Sequence, residues 1–415
     1  MHGLFQYPAM MVPQMQARIL ADIQAACPNI RTVCDPFAGS GTVMTEAMIR
    51  GLDFYGQDIN PLAVLLCRVK AGPFFIGALG DRAREVSSRI NSDTGRQIDI
   101  ESKYPGWRKW FREDVALSLS RIARAIRKEL RDWSRRFFWV ALAETIRLVS
   151  NSRTSTFKLH IRPADEIRKR RIDPLVVFRQ IVDSNLGHLK QMRDLLWKGG
   201  HLSNGWYKGQ ARVALADSSI RCAHARGAHY DLLVSSPPYG DNVSTVTYGQ
   251  HAFLPLQWID AGDIDPDLDL SLLANTHAID SKSIGGSRAE AFKNKDDLSR
   301  RSESFSRVLK ALEGEPRDRA IRVAAFCRDL DRGLKAILAS LRCNAYLVWV
   351  VGNRRVANKP VPLQDILSEL LTSHGATLVT TLDRKIPAKR MATRNSIAST
   401  MSSEYVVVMR KGGKR

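Results

Sequence analysis

Between residues 30 and 72 the chain runs twice through one cycle of short β-rich run, tight turn and helix, and no other stretch restricts the fold as strongly. "IRTVCD" is β-rich and ends at Asp35, where the loop "DPFAGSGT" (35–42) begins. The helix "TVMTEAMIR" follows and closes at Gly51, a natural C-terminal stop. "DFYGQD" reads as a second strand, and "NPLAVLLCRVKAG" as a second helix with Asn60 as its cap and Pro61 in its first position. Two strand–helix units in so few residues predict an α/β fold with a doubly wound parallel sheet.

A helix over 10–26 precedes these units, and the rhythm resumes at "ARVALAD" (211–217) and "YDLLVSS" (230–236). It continues with a helix near 317–341, the strand "AYLVWVVG", the helix "LQDILSELLTSHG" and the strands "ATLVTTL" and "EYVVVMR". The reading is therefore a catalytic unit made of 1–74 and 206–415, interrupted by a basic helical insertion at 75–205. Val115, Leu119, Ile122, Ile126 and Leu130 have the helical spacing that places the insertion's centre over 113–149. Residues 243–315, which include "SIGGSR", read as a second, irregular insertion.

Sixty-three lysines and arginines against 42 acidic residues give a formal charge of +21 and a pI near 10, which favours a polyanionic partner. Residues 101–212 hold 25 of the cations against 11 acids, together with six of the eight tryptophans. Arg124, Arg127, Arg131 and Arg135 are accordingly candidate phosphate contacts. No stretch approaches the roughly 18 apolar residues of a membrane span, and the first residues lack the basic and apolar regions of a signal peptide. The six cysteines are scattered, without a CxxC pair or metal-spaced histidines. A soluble protein of the reducing cytoplasm, with no metal and no membrane partner, is the expectation.

In "DPFAGSGT", Gly39 and Gly41 allow a tight turn and close approach of backbone to a ligand. Two nucleotide readings fail on detail. A phosphate-binding P-loop needs a lysine that is missing, and the dinucleotide fingerprint needs a third small residue where Met44 stands. Asp35 at the strand tip would repel a dinucleotide's phosphates but welcome a ligand that carries an ammonium and a sulfonium. Asp58, at the end of the second strand, is placed to accept both hydroxyls of a ribose.

"SSPPYGDN" (235–242) ends the strand "YDLLV" in a stiff, extended turn, because each proline fixes its own φ and restricts the residue before it. "DPFAGSGT", "GQDINP" and "SSPPY" together resemble the S-adenosyl-L-methionine-dependent DNA methyltransferases that modify exocyclic amino groups. The likeness spans roughly 5–72, 210–245 and 317–410. It implies a class I, Rossmann-like sheet, mostly parallel with an antiparallel last strand. It also implies that Asp35, Pro36, Phe37, Ala38, Gly39, Ser40, Gly41 and Thr42 wrap the cofactor's methionine part, while Asp58, Ile59 and Asn60 hold its ribose. Asp217 and Ser218 would lie near the adenine, and Tyr7, Pro8 and Ala9 match a "YPA" segment of the family, which often has lysine where Met10 stands.

The same resemblance makes Ser236, Pro237, Pro238 and Tyr239 the catalytic motif. An exocyclic amine is a weak nucleophile because its lone pair is conjugated with the ring. Ser236 and the Pro237 carbonyl would take its two hydrogens and turn the lone pair toward the methyl. Tyr239 would stack on a base extruded from the duplex. Family usage connects serine at this position with cytosine N4, and no Pro-Cys for ring-carbon methylation is present. Adenine N6 methylation, an RNA guanine amino-methyltransferase, an inactive DNA-binding subunit and a nicotinamide oxidoreductase are the alternatives. The implied setting is a prokaryotic nucleoid, with double-stranded DNA as partner and room for a restriction or phage-defence partner.

A basic loop, "LDRKIPAKRMATRNSIASTMSSEY", joins the last two strands, and its Arg384, Lys385, Lys389, Arg390 and Arg394 are candidate DNA contacts at the sheet's carboxyl edge. "VGNRR" (351–355) is another. A division of labour is expected in which the 101–212 helices clamp phosphates and residues 243–300 select bases.

Overall fold

The computed structural model describes residues 3–93, 100–102, 104–218, 229–242, 245–385 and 403–413. Seven strands make the main sheet: β1 (Thr32–Asp35), β2 (Asp53–Asp58), β3 (Ala211–Leu215), β4 (Tyr230–Ser235), β5 (Leu341–Gly352), β6 (Ala376–Lys385) and β7 (Ser403–Lys411). Their spatial order is β6-β7-β5-β4-β1-β2-β3. The five strands from β3 to β5 are mutually parallel, and β7 lies antiparallel between β5 and β6. This is the mostly parallel Rossmann-like sheet, with an antiparallel last strand, that the sequence rhythm and the resemblance predict.

The period-2 alternation of the strands sends neighbouring residues to opposite faces. Val33, Leu232, Val234, Val348 and Val350 enter one core, and Cys34, Leu233, Leu347, Trp349 and Val351 the other. The first core is covered by α1 (Pro13–Ala26), α2 (Thr42–Ile49) and α3 (Pro61–Lys70), and the second by α9 (Arg317–Ala339) and α10 (Leu363–Ser373). Asn60 caps α3 as expected, its Oδ1 accepting from the Leu62 N–H at 3.0 Å.

The basic insertion contains four long helices, α4 (Ile76–Ser92), α5 (Glu113–Arg127), α6 (Asp132–Val149) and α7 (Pro174–Lys198). Their apolar residues, among them Leu119, Ile122, Phe138 and Trp139, join the same contiguous core as Val33 and Phe54 of the sheet. The helical region expected over 113–149 consists of two helices, α5 and α6. Buried Glu129 accepts from the Ser134 hydroxyl at 3.0 Å and the Arg131 N–H at 3.2 Å, fixing the break between them. Leu130, read as part of the apolar face, lies at that break and is 84% exposed.

Residues 245–315 are largely helical rather than irregular. They hold α8 (Tyr248–Leu256), a helix of equal length at Glu303–Ala311, and the shorter helices Ala261–Ile264, Leu270–Leu273, Ala278–Lys282 and Lys295–Arg301. Most are too short for an apolar period to emerge, and polar caps such as Asp269 and Ser302, each accepting a backbone N–H, help to set their starts.

Candidate active site

The loops after β1, β2, β3 and β4 leave the carboxyl edge side by side, around the point where strand order reverses. They enclose a cleft of about 810 Å³, counting the space at its open mouth. From the β1 loop come Pro36, Phe37, Ala38, Gly39, Ser40 and Thr42; from the β2 tip, Asp58, Ile59 and Asn60. Asp217 and Ser218 follow β3, and Ser236 and Pro238 follow β4. Tyr7 completes the set of expected residues that the cleft brings together.

Gly39 (φ +50°) and Gly41 (φ +75°) both adopt the left-handed region. A Cβ on Gly41 would stand 2.9 Å from the Cys67 sulfur, so this position needs glycine for space as well as for backbone angle. The loop is pinned from outside itself. The Ala38 N–H donates to the Gln57 carbonyl at 3.0 Å, and buried Lys70 donates to the Ser40 carbonyl at 2.6 Å.

Two acids sit at the base of the cleft. Asp58 accepts from the Gly39 N–H through Oδ2 and from the Asn60 N–H through Oδ1, both at 2.8 Å, so the β2 tip holds the β1 loop directly. Asp35 does not line the cleft but lies beneath its loop, 1% exposed. Its Oδ1 accepts from the Ser235 hydroxyl (2.6 Å) and the Phe37 N–H (3.0 Å), while Oδ2 is buried without a protein partner among the described residues. Burial pushes Asp35 up to about 7 and Asp58 up to about 6, partly offset by these hydrogen bonds. Burial and the Asp58 charge raise the Tyr7 hydroxyl, which accepts from Asn60 Nδ2 at 3.0 Å.

Pro8, Gly41, Pro237 and Tyr239 lie outside the lining. The cleft also takes in Ala9 of "YPA", and Met10, Met11, Asn242, Tyr248, Ile279, Ser283 and Ile284, none of which was named as a cofactor contact. Ala9 ends "YPA" and Asn242 ends "SSPPYGDN", while Met10 and Met11 adjoin "YPA", so a place in or beside a motif was their one signal. Ser283 and Ile284 open "SIGGSR", whereas Tyr248 and Ile279 carry no motif signal, because α8 and the Ala278–Lys282 helix fold back over the cleft. The Tyr248 ring lies 5.8 Å from that of Tyr7. Asn242 is 3% exposed, and its Oδ1 has no partner among the described residues.

At the β4 tip the Ser236 hydroxyl lies 3.4 Å from the Tyr239 hydroxyl, which lies 3.4 Å from Glu404 Oε1. Arg384 donates to the other oxygen of Glu404 at 2.8 Å. Arg354 of "VGNRR" is not a free surface cation: it packs against Gly240, pairs with buried Asp241 at 3.0 Å, and its side chain is 12% exposed.

The insertion's arginines are similarly engaged. Arg124 pairs with Asp93 (2.8 Å) and Glu101 (3.2 Å), Arg127 with Glu101 (2.5 Å) and Asp260 (2.9 Å), and Arg135 with Asp263 (2.5 Å) and Asp132 (2.9 Å). Arg131 is exposed. Trp107, Trp110 and Trp139 are buried, the last donating to Asp263 at 2.6 Å, whereas Trp197 and Trp206 are 70% and 56% exposed. Lys385 is exposed at the end of β6; Lys389, Arg390 and Arg394 lie outside the described residues.

A cleft lined by Asp58 and Asp217, with backbone amides, aromatic and apolar walls and no lysine or arginine among the described residues of its lining, suits a cationic nucleoside better than a phosphate chain. Among the described residues no helix is long and apolar enough to cross a membrane, and no group of three or more side chains has the makings of a metal site.

No family model matches the chain. Over 424 aligned residues it is 30% identical to the type II methyltransferase M.MvaI of Kocuria varians, a match that covers 99% of this chain and 90% of that protein. The rRNA methyltransferase aviRa of Streptomyces viridochromogenes is a structural neighbour at 10% identity and a TM-score of 0.35, with 97% of this chain and 86% of that one covered; the likeness is too loose to carry an argument.

Proposed function

The chain belongs to the type II DNA methyltransferases, and from that premise we propose that it moves a methyl group from S-adenosyl-L-methionine to an exocyclic amino group of a base flipped out of double-stranded DNA, with cytosine N4 as the target. The observation that carries this reading is that Ser236 and Asp58, 178 residues apart in sequence, line one cleft at the carboxyl edge of the sheet.

Asp58 would hold the ribose of the cofactor with the oxygen lone pairs that its two backbone donors leave free. Asp35, with one unpartnered buried oxygen, would supply negative charge beneath the methionine part. Asp217 and Ser218 would border the adenine. When bound, the cofactor would supply a sulfonium-activated methyl carbon to the amine nitrogen and leave as the neutral thioether, the surplus proton on nitrogen passing to water. Ser236 and the Pro237 carbonyl accept the amine hydrogens, and the prolines keep both acceptors fixed so that little ordering is left to the reaction itself.

The charge of +21 supports a nucleic-acid substrate. With three of the four insertion arginines paired internally, exposed Arg131 and Lys385, together with Lys389, Arg390 and Arg394, are the stronger phosphate contacts. Ile279, Ser283 and Ile284 border the same cleft as Ser236, which supports a part for this segment in holding the cofactor or the target nucleotide. The setting that fits is a prokaryotic cytoplasm, beside a restriction or phage-defence partner. Incubation with labelled S-adenosyl-L-methionine and either duplex DNA or total RNA, followed by nucleoside analysis, tests the reading. N4-methylcytosine in DNA is expected; N6-methyladenine would move the target, and label in RNA alone would overturn DNA as substrate.

A further inference from the structure

Ser236 can hold an amine hydrogen only if a lone pair of its oxygen faces the amine. A hydroxyl has one hydrogen and two lone pairs, and the hydrogen, free to rotate, competes for the same direction. Something must draw it elsewhere. The three groups lined up behind Ser236 have the chemistry for this. Glu404, as a carboxylate, is an acceptor only, so the hydroxyl hydrogen of Tyr239 goes to Glu404. The Tyr239 oxygen is then left as an acceptor, and the Ser236 hydrogen goes to it.

We propose that Glu404 is a positioning residue for methyl transfer: backed by Arg384, it sets the direction of the chain Ser236 to Tyr239 to Glu404 and so holds Ser236 as an acceptor toward the target amine. The proposal rests on the assignment of Ser236 above. Three further observations agree with it. Arg384 and Glu404 are direct cross-strand partners in β6 and β7, so the sheet itself brings the guanidinium to the carboxylate. Glu404 is shielded, its side chain 19% exposed, which strengthens its pull on the neighbouring hydroxyl. Burial and the nearby Glu404 charge raise Tyr239 well above the ordinary phenol range, which keeps its hydrogen in place to be donated. The two 3.4 Å separations are long for O–H···O bonds, as is common at catalytic groups before substrate is bound.

Tyr239→Phe keeps the ring for stacking and deletes the hydroxyl. Glu404→Gln keeps the shape but offers an amide hydrogen that can reverse the chain, whereas Glu404→Asp keeps an acceptor-only group. With the full-length enzyme, S-adenosyl-L-methionine and a duplex containing the methylation site, Tyr239→Phe and Glu404→Gln should each lower kcat about tenfold or more. Cofactor affinity and KM for DNA should stay within about twofold of wild type, and Glu404→Asp should recover part of the rate. Wild-type kcat in Tyr239→Phe, with Ser236→Ala inactive, overturns the relay and leaves the acceptor role of Ser236 standing. Full activity of Ser236→Ala overturns the reading beneath both. Should Glu404→Gln fail to fold, Tyr239→Phe decides the matter alone.

Discussion

The Ser235 hydroxyl donates to Asp35 Oδ1 across 2.6 Å, tying the tip of β4 to the tip of its parallel neighbour β1. One strand leads into the stiff Pro-Pro turn and the other into the glycine loop, so this bond joins the two halves of the site beneath the cleft. It also opposes burial, which raises the Asp35 carboxyl.

A pH dependence follows. Asp35 titrates near 7 and Asp58 near 6 in the folded chain, both above the unfolded carboxylate range, because burial disfavours their charge. From about pH 4 upward the unfolded chain has already released these protons while the fold retains them, so stability without ligand falls as pH rises to about 7. A cationic ligand needs both groups ionised. Affinity for S-adenosyl-L-methionine should therefore climb from about pH 5.5 and level off above about 7.5, with proton release seen by calorimetry in buffers of different ionisation enthalpy. Affinity that stays flat across this range would remove Asp35 and Asp58 from ligand binding.

Asp58→Ala deletes an acceptor for the ribose and releases two backbone N–H groups, that of Gly39, which pins the β1 loop, and that of Asn60 at the start of α3. Cofactor affinity should drop by about 1.5 to 3 kcal/mol. Titration calorimetry on a variant that keeps its wild-type circular dichroism measures this directly, and unchanged affinity would exclude Asp58 from the site.

Ser236→Ala should lower the single-turnover methylation rate by about 10²-fold or more while leaving cofactor affinity nearly intact. Tyr239→Ala should weaken capture of the flipped base by about 1 to 3 kcal/mol, read from fluorescence of a 2-aminopurine placed at the target. Loss of cofactor binding in Ser236→Ala would show that the serine supports the pocket rather than the chemistry.

Arg135 and Arg131 should part company. Arg135 ties α6 to Asp263, whose side chain is 8% exposed and also accepts from Trp139, so Arg135→Ala should cost about 2 to 4 kcal/mol of stability and lower Tm. Arg131→Ala should leave Tm unchanged and reduce the salt dependence of DNA binding by about one phosphate contact. An Arg135 variant of normal Tm that binds DNA weakly would return the clamp to the paired arginines.

The local sequence determined the parts of this protein whose physics is local. The β1–loop–α2 and β2–α3 units lie within contiguous residues, because a glycine turn, a cap at Asn60 and period-2 strands are short-range devices. The Pro-Pro turn at the β4 tip is legible for the same reason, and together these segments supply half of the residues that line the cleft. What only the tertiary structure decided depends on which distant groups meet. Composition counts cations but not their partners, and the carboxylates that hold Arg127 and Arg135 are more than 120 residues away in Asp260 and Asp263. Tyr248 and Ser283 reach the cleft through short helices without a period to read, and Glu404 reaches Tyr239 because β7 enters the sheet antiparallel between β5 and β6. Backbone conformation responds to neighbours along the chain, whereas the pairing of buried charges and hydroxyls is settled only when the sheet closes around them.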